Sequence, residues 1–146
     1  MEIMNISKDK LPEAMDLVWK VFLEFEAPDY SQEGINTFRE FLDEQLTTLT
    51  IELYGAYDNS RLLGVIATRN EGSHIALFFV EKKHQGRGIG KKLFQRIVLL
   101  CENAAITVNS SPYAVKIYRK LGFQDTETEQ LSGGIRYVPM KYQCVL

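Results

Sequence analysis

Apolar positions along this chain change period several times, and each change marks an element. The short stretch Met1 to Ile6 reads as a first strand, broken at Lys10-Leu11-Pro12. From Glu13 on, Met15, Val18, Phe22 and Phe25 recur at helical spacing, with Trp19 beside them. A residue that precedes proline disfavours helix, so this helix ends near Ala27-Pro28. Ser31 suits the N-cap of a second helix, whose periodic positions are Ile35, Phe38, Phe41, Leu42 and Gln45. Thr50 to Tyr57 and Leu62 to Thr68 then flank the polar turn Asp58-Asn59-Ser60-Arg61, and Asn70-Glu71-Gly72-Ser73 leads into the run His74 to Val80. Three strands joined by short turns predict an antiparallel meander.

The period changes most sharply after Val80. Gly86, Gly88 and Gly90 stand at alternate positions, and Leu93, Phe94, Ile97, Val98 and Cys101 then repeat at helical spacing. Ala105-Ile106-Thr107-Val108 follows as a short strand, which makes a β-α-β unit with locally parallel strands and a right-handed crossover. Ser111 and Pro112 suit the N-cap and first turn of a last helix, Tyr113 to Lys120, with Gly122 ending it. Phe123 to Leu131 and Ile135 to Val145 flank Ser132-Gly133-Gly134, a hairpin signal. Pro139 lies inside the final strand and has no N–H to donate, which predicts a bulge or an unpaired position there. The expected fold class is mixed α/β, in one domain spanning residues 1–146.

Composition narrows the function classes. A length of 146 residues, 45% hydrophobic and 25% charged, is that of an ordinary globular domain. A net charge of -2 gives no general reason to expect nucleic-acid binding. No apolar run is long enough to span a bilayer, and the N-terminus lacks the basic-then-apolar order of a signal peptide. Cys101 and Cys144 are too few for a disulfide framework, and no Cys/His cluster has metal-ligand spacing. The expectation is a cytoplasmic domain that uses no metal and binds neither nucleic acid nor membrane.

The glycine stretch carries the candidate chemistry. A glycine-rich loop that opens a helix aims unpaired N–H groups and the positive end of the helix dipole at whatever lies beyond, and such a site binds phosphate. Lys82, Lys83, Arg87, Lys91 and Lys92 surround it. A tight turn with a solvated basic rim is the plain alternative. Two nucleotide loops fail on spacing. The P-loop requires Gly where Gln85 stands and Ser or Thr where Lys92 stands. The dinucleotide fingerprint, counted from Gly86, requires Gly at Lys91.

Gln85-Gly86-Arg87-Gly88-Ile89-Gly90 instead resembles the acetyl-CoA pyrophosphate loop of the GNAT superfamily of acyl-CoA N-acyltransferases, and Leu77-Phe78-Phe79-Val80 looks like the fourth strand of that family. Independently, Ala114 to Phe123 is similar to the GNAT helix that closes in Tyr-x-x-x-Gly-Phe, here Tyr118 to Phe123. The resemblance implies a GNAT-like fold and transfer of an acetyl group from acetyl-CoA to a primary amine. It places Gln85, Gly86, Arg87, Gly88, Ile89, Gly90 and Lys91 at the cofactor, along with backbone amides of Phe78, Phe79 and Val80 freed by a bulge. Tyr118 becomes the group that protonates the departing thiolate. Many family members carry a cofactor-contacting Asn seven residues before that tyrosine. Ser111 stands there in this chain, and either it or Asn109 would take the contact.

Phenol and thiol have ordinary pKa values of ~10 and ~8.5, so a positioned phenol can serve as general acid. Neither cysteine has an evident activating partner, which favours direct attack of the amine in a ternary complex. Glu24, Glu26, Asp29 and Tyr30 surround the corner between the first two helices, either as a solvated helix end or as a negative lip for a cationic acceptor. Glu26, Asp29 and Tyr30 are the candidate acceptor contacts, and a polyamine, an aminoglycoside-like base or a peptide amine are the acceptors so suggested. Glu24, Glu26, Glu52, Glu71 and His74 are the candidate bases, as is a water relay, a structural or surface role being the plainer one for His74. His84 could touch phosphate or be simply exposed. The resemblance makes a homodimer possible. A non-catalytic acyl-CoA-binding module is the alternative to an enzyme.

Overall fold

A computed structural model describes residues 1–144. In chain order the elements are β1 (Glu2–Asn5), α1 (Leu11–Phe25), α2 (Gln32–Thr47), β2 (Glu52–Asp58), β3 (Arg61–Arg69), β4 (His74–Val80), α3 (Ile89–Leu100), β5 (Ala105–Ser110), α4 (Val115–Leu121), β6 (Gln124–Asp125), β7 (Gln130–Ser132) and β8 (Ile135–Gln143). The strands form one sheet in the order β1-β2-β3-β4-β5-β8-β6, and β7 pairs β8. Only β4 and β5 are parallel; the other pairings are antiparallel. The predicted mixed α/β class, the meander and the β-α-β unit are all present.

Each face of the sheet has its own core. Val18, Phe22 and Leu42 of α1 and α2 meet Val65 and Leu77 on one face. Leu93, Phe94 and Ile97 of α3 meet Ile66, Ile106 and Met140 on the other, where Tyr118 and Phe123 also pack. Period-2 alternation along β4 decides which side chain reaches which core. It is interrupted once. Ala67 pairs with Leu77 but Thr68 pairs with Ile75, so Ala76 is an extra residue in β4. Ala76 and Leu77 therefore both face α1, while Ile75 and Phe78 face α3.

Beyond that bulge the sheet opens. β4 pairs with β5 only at His74↔Thr107 and Ile75↔Val108. From there β5 keeps its ladder with β8 as far as Ser110↔Val138, and β4 keeps its own with β3 as far as Val80↔Gly64. The parallel strands thus part like a V, with its mouth at their carboxyl ends.

Three expectations need correction. The strand expected over Phe123 to Leu131 is two short pieces, β6 and β7, separated at residues 126–129. The last helix begins at Val115, because Ser111 to Ala114 form a separate turn, with the Ala114 N–H donating to the Ser111 carbonyl. Pro139 causes no bulge: it pairs in register with Asn109. Its carbonyl accepts from the Thr126 N–H at 2.9 Å, just where β6 stops, so its missing donor falls at the end of an outer strand. Val145, the expected end of the final strand, lies outside the described residues.

The turn between β7 and β8 fixes α2. Gly133 and Gly134 have φ of 57° and 78°, the left-handed conformation a two-residue hairpin requires. Ser31 accepts from the Gly34 N–H and donates to the Gly134 carbonyl, while Thr37 donates to that of Gly133. A Cβ at Gly34 would overlap the Gly134 carbonyl oxygen, which is backbone and cannot swing aside. Gly34→Ala is expected to destabilise the protein by about 1–3 kcal/mol in urea unfolding, the range for an overpacked contact.

Candidate active site

The mouth of the V is a cleft of about 470 Å³. One end is the glycine loop, with His84, Gln85, Gly86, Gly88, Ile89, Gly90 and Lys91; Lys120 and Leu121 of α4 lie on its wall. At the end nearer α1 are Val21, Phe25, Glu26, Phe79, Tyr113 and Tyr118, with Phe78 and Val80 along the floor.

At the loop end, Gly88 is the N-cap of α3 at φ 80°, and the Lys92 N–H is the first to find an intrahelical acceptor, the Gly88 carbonyl. The N–H groups of Ile89, Gly90 and Lys91 have no intrahelical partner, and all three residues border the cleft. No side chain caps this terminus. Gln85 is engaged structurally, its side-chain amide donating to the Val80 carbonyl at 3.0 Å and holding the loop against the end of β4. Arg87 is exposed, does not line the cleft, and donates to Nδ1 of His84 at 3.0 Å. Arginine can only donate, so Nδ1 accepts and the neutral His84 ring carries its hydrogen on Nε2. That Nε2 is buried and has no partner among the described residues.

Along the floor, backbone groups alternate in direction. The Glu81 N–H bonds the Leu63 carbonyl of β3, and Val65 faces Phe79. Phe79 therefore directs its amide into the β3 ladder, whereas the N–H groups of Phe78 and Val80 point to the side that β5 has vacated. The amides expected free over Phe78 to Val80 are thus two, not three. Divergence of β5 exposes them, and the bulge lies upstream at Ala76.

Tyr118 is only 6% exposed, set against Phe78 and Phe123 at ring separations of 5.9 and 5.2 Å. Burial, then the nearby Glu26 and Tyr30, raise its pKa strongly, so it is a neutral phenol. Glu26 is the acid of this cleft. Burial raises its carboxyl to about 7; the Ser111 hydroxyl opposes the shift and Asp29 adds to it. Phe25 stacks on Tyr113 at 5.0 Å, joining the end of α1 to the turn after β5.

The remaining sequence candidates scatter. Asp29 faces Arg136 at 3.9 Å rather than the cleft. Tyr30 packs on Phe22 at 5.4 Å, and its hydroxyl is raised by burial and by Glu26 and Asp29. Asn109 is exposed on β5 and does not line the cleft. Ser111 is buried and accepts from the Ala114 N–H at 3.3 Å, so its hydroxyl shapes the turn beside Glu26. Among the proposed bases, Glu52, Glu71 and His74 sit at the opposite end of the sheet, since Glu52 pairs Thr68 and Thr68 pairs Ile75. Six residues of β4 separate that end from the cleft, roughly 20 Å. His74 is held by Thr107 at 2.7 Å, and burial and then Arg69 lower its pKa to about 4. Glu24 opens into a neighbouring depression with Lys20, Lys82 and Lys83. Glu26 alone of the five borders the cleft. Sequence reasoning missed Phe25 and Tyr113 as lining residues; as a helix-end and a turn aromatic, 88 positions apart, they carried no local signal.

A family profile for the acetyltransferase (GNAT) domain matches residues 26–144. The chain belongs to the GNAT acetyltransferase family. Solved structures agree on the fold. A GCN5-related N-acetyltransferase from Rhodopseudomonas palustris superposes with a TM-score of 0.83 at 16% identity, covering 97% of this chain and 94% of that one. The PaiA N-acetyltransferase of Thermoplasma acidophilum, solved with coenzyme A, gives 0.75 at 19% identity, covering 97% and 98%. GCN5 of Tetrahymena gives 0.72 at 12% identity, covering 99% and 97%. No curated protein sequence matches the chain. Among the described residues there is no group of side chains that could hold a metal ion, and no helix long and apolar enough to cross a membrane.

Glu26 gives this GNAT domain a signature in stability. Its folded pKa lies above the ordinary 4.5, so its favourable contribution is complete below about 4.5 and is lost as pH rises through about 7. Glu26→Gln has no charge to bury. From about pH 5 to about pH 8, its unfolding free energy should gain on wild type by on the order of 1–3 kcal/mol, read by urea unfolding across that range.

Proposed function

We propose that this GNAT domain transfers an acetyl group from acetyl-CoA to a primary amine by direct attack in a ternary complex. The observation that carries this reading is the meeting, in one cleft, of an uncapped helix N-terminus, two free strand amides, a buried phenol and a half-buried carboxyl. The open N–H groups of Ile89, Gly90 and Lys91 suit a pyrophosphate. The free amides of Phe78 and Val80 suit the amide-bearing arm of coenzyme A and the acetyl carbonyl, whose developing oxyanion needs preorganised donors. Two structural neighbours, PaiA and an aminoglycoside 6'-N-acetyltransferase, were solved with coenzyme A, which supports the same occupant here.

Glu26 is the general base. A carboxyl held near neutral pH both accepts a proton and returns it readily. It takes one proton from the incoming ammonium. The neutral amine then attacks the thioester carbon, forming the carbon–nitrogen bond and an oxyanion. Collapse breaks the carbon–sulfur bond. The sulfur takes the Tyr118 proton, and the phenolate recovers a proton from the new amide nitrogen. Glu26 releases its proton to solvent.

Tyr118→Phe should lower kcat by about 10²–10⁴, the usual contribution of one general acid, with acetyl-CoA affinity within about threefold of wild type. Glu26→Gln should remove the limb near pH 7 from the profile of kcat/KM. The assay is amine-dependent release of the CoA thiol. Acetyl-CoA binding with no release from any amine would instead favour the binding module.

A further inference from the structure

We propose that the acceptor is a primary monoamine on a flat apolar body, an arylalkylamine, rather than a polyamine or an aminoglycoside. This deepens the acetyl-transfer reading and rests on it.

The α1 end of the cleft has two properties that together select such a molecule. It is apolar and aromatic: Val21, Phe25, Phe79 and Tyr113 surround the place where an amine must lie to reach Glu26. Phe25 and Tyr113 stack face to face at 5.0 Å and 25°, and Tyr113 remains 38% exposed. A flat ring can lie against this pair, gaining both burial and stacking. The site also offers a single carboxylate. Asp29 and Glu129 both meet Arg136, at 3.9 and 3.0 Å. Glu81 meets Arg61 at 3.4 Å and Lys20 at 3.9 Å. Glu24 shares its depression with Lys20, Lys82 and Lys83. The acids near the cleft are thus already neighboured by this protein's own cations. A polycation would bring second and third charges to an apolar wall and to lysines. Desolvating a charge without a partner is costly, so these extra charges select against it.

The test measures CoA release for 2-phenylethylamine, butylamine, spermidine and kanamycin, with direct titration of each amine into the protein–CoA complex. The arylalkylamine should exceed spermidine and kanamycin in kcat/KM by about tenfold or more. Tyr113→Ala should lower kcat/KM for 2-phenylethylamine by about threefold to tenfold, but for butylamine by less than about twofold. Phe25→Leu, which keeps an apolar side chain but no ring, should give the same split and guards against misfolding of the first variant. Preference for spermidine or kanamycin overturns the acceptor class and leaves acetyl transfer standing. Tight binding of 2-phenylethylamine without release from any amine keeps the ligand class and overturns acetyl transfer. Failure of 2-phenylethylamine both to bind and to react overturns the proposal.

Discussion

The parting of β4 from β5 is the constraint on which the rest of this protein depends. Backbone donors and acceptors inside a sheet are normally consumed by the neighbouring strand. Here the parallel ladder stops after two residue pairs, and the sheet is left with an open seam in its middle. A seam is costly unless something satisfies it. Gln85 takes the Val80 carbonyl, and the side chains of Phe78 and Tyr118 fill part of the wedge. The amides of Phe78 and Val80 stay free. A cleft with unsatisfied backbone groups, placed beside a helix N-terminus, offers hydrogen-bond donors before any particular side chain is considered.

Electrostatics then divide the cleft. Lys91, Lys120 and the α3 terminus make one end positive, while the other end is apolar around Glu26. Low polarity at that end raises the Glu26 carboxyl and the Tyr118 phenol through the same cause, loss of water around the charged form. The phenol is thereby kept neutral and the carboxyl is brought to the edge of ionisation near pH 7, side by side, without any bond between them being required. The arrangement depends on α1 ending at Phe25, one residue before Glu26, and on the turn Ser111 to Ala114 meeting it.

Much of this was legible in the chain. The period changes placed α1, α2 and α3 because each buries one face and shows the matching repeat, and β4 because its continuous apolar run is covered on both faces. The two motifs were legible because glycine spacing and the Tyr118-to-Phe123 segment are local patterns. Less legible were the elements whose form depends on a partner. Residues 123–131 read as one strand because they lead into the Ser132-Gly133-Gly134 turn, yet β8 offers them pairing only at the two ends. Pro139 reads as a disruption, but its missing donor falls where β6 has already stopped.

Sequence by itself determined the element types, the glycine loop, the candidate phenol and the family resemblance, since these rest on spacing along a single chain. Tertiary structure alone decided which acids meet the site. Glu24, Glu26, Glu52, Glu71 and His74 all stood as candidate bases in the sequence. Strand register sends Glu52, Glu71 and His74 to the far end of the sheet, the helix face sends Glu24 into a neighbouring depression, and only Glu26 lines the cleft with Tyr118. The same holds for Phe25 and Tyr113, which become one aromatic wall only when α1 and the turn after β5 close over the seam. Proximity between distant positions is a property of packing, and no local pattern encodes it.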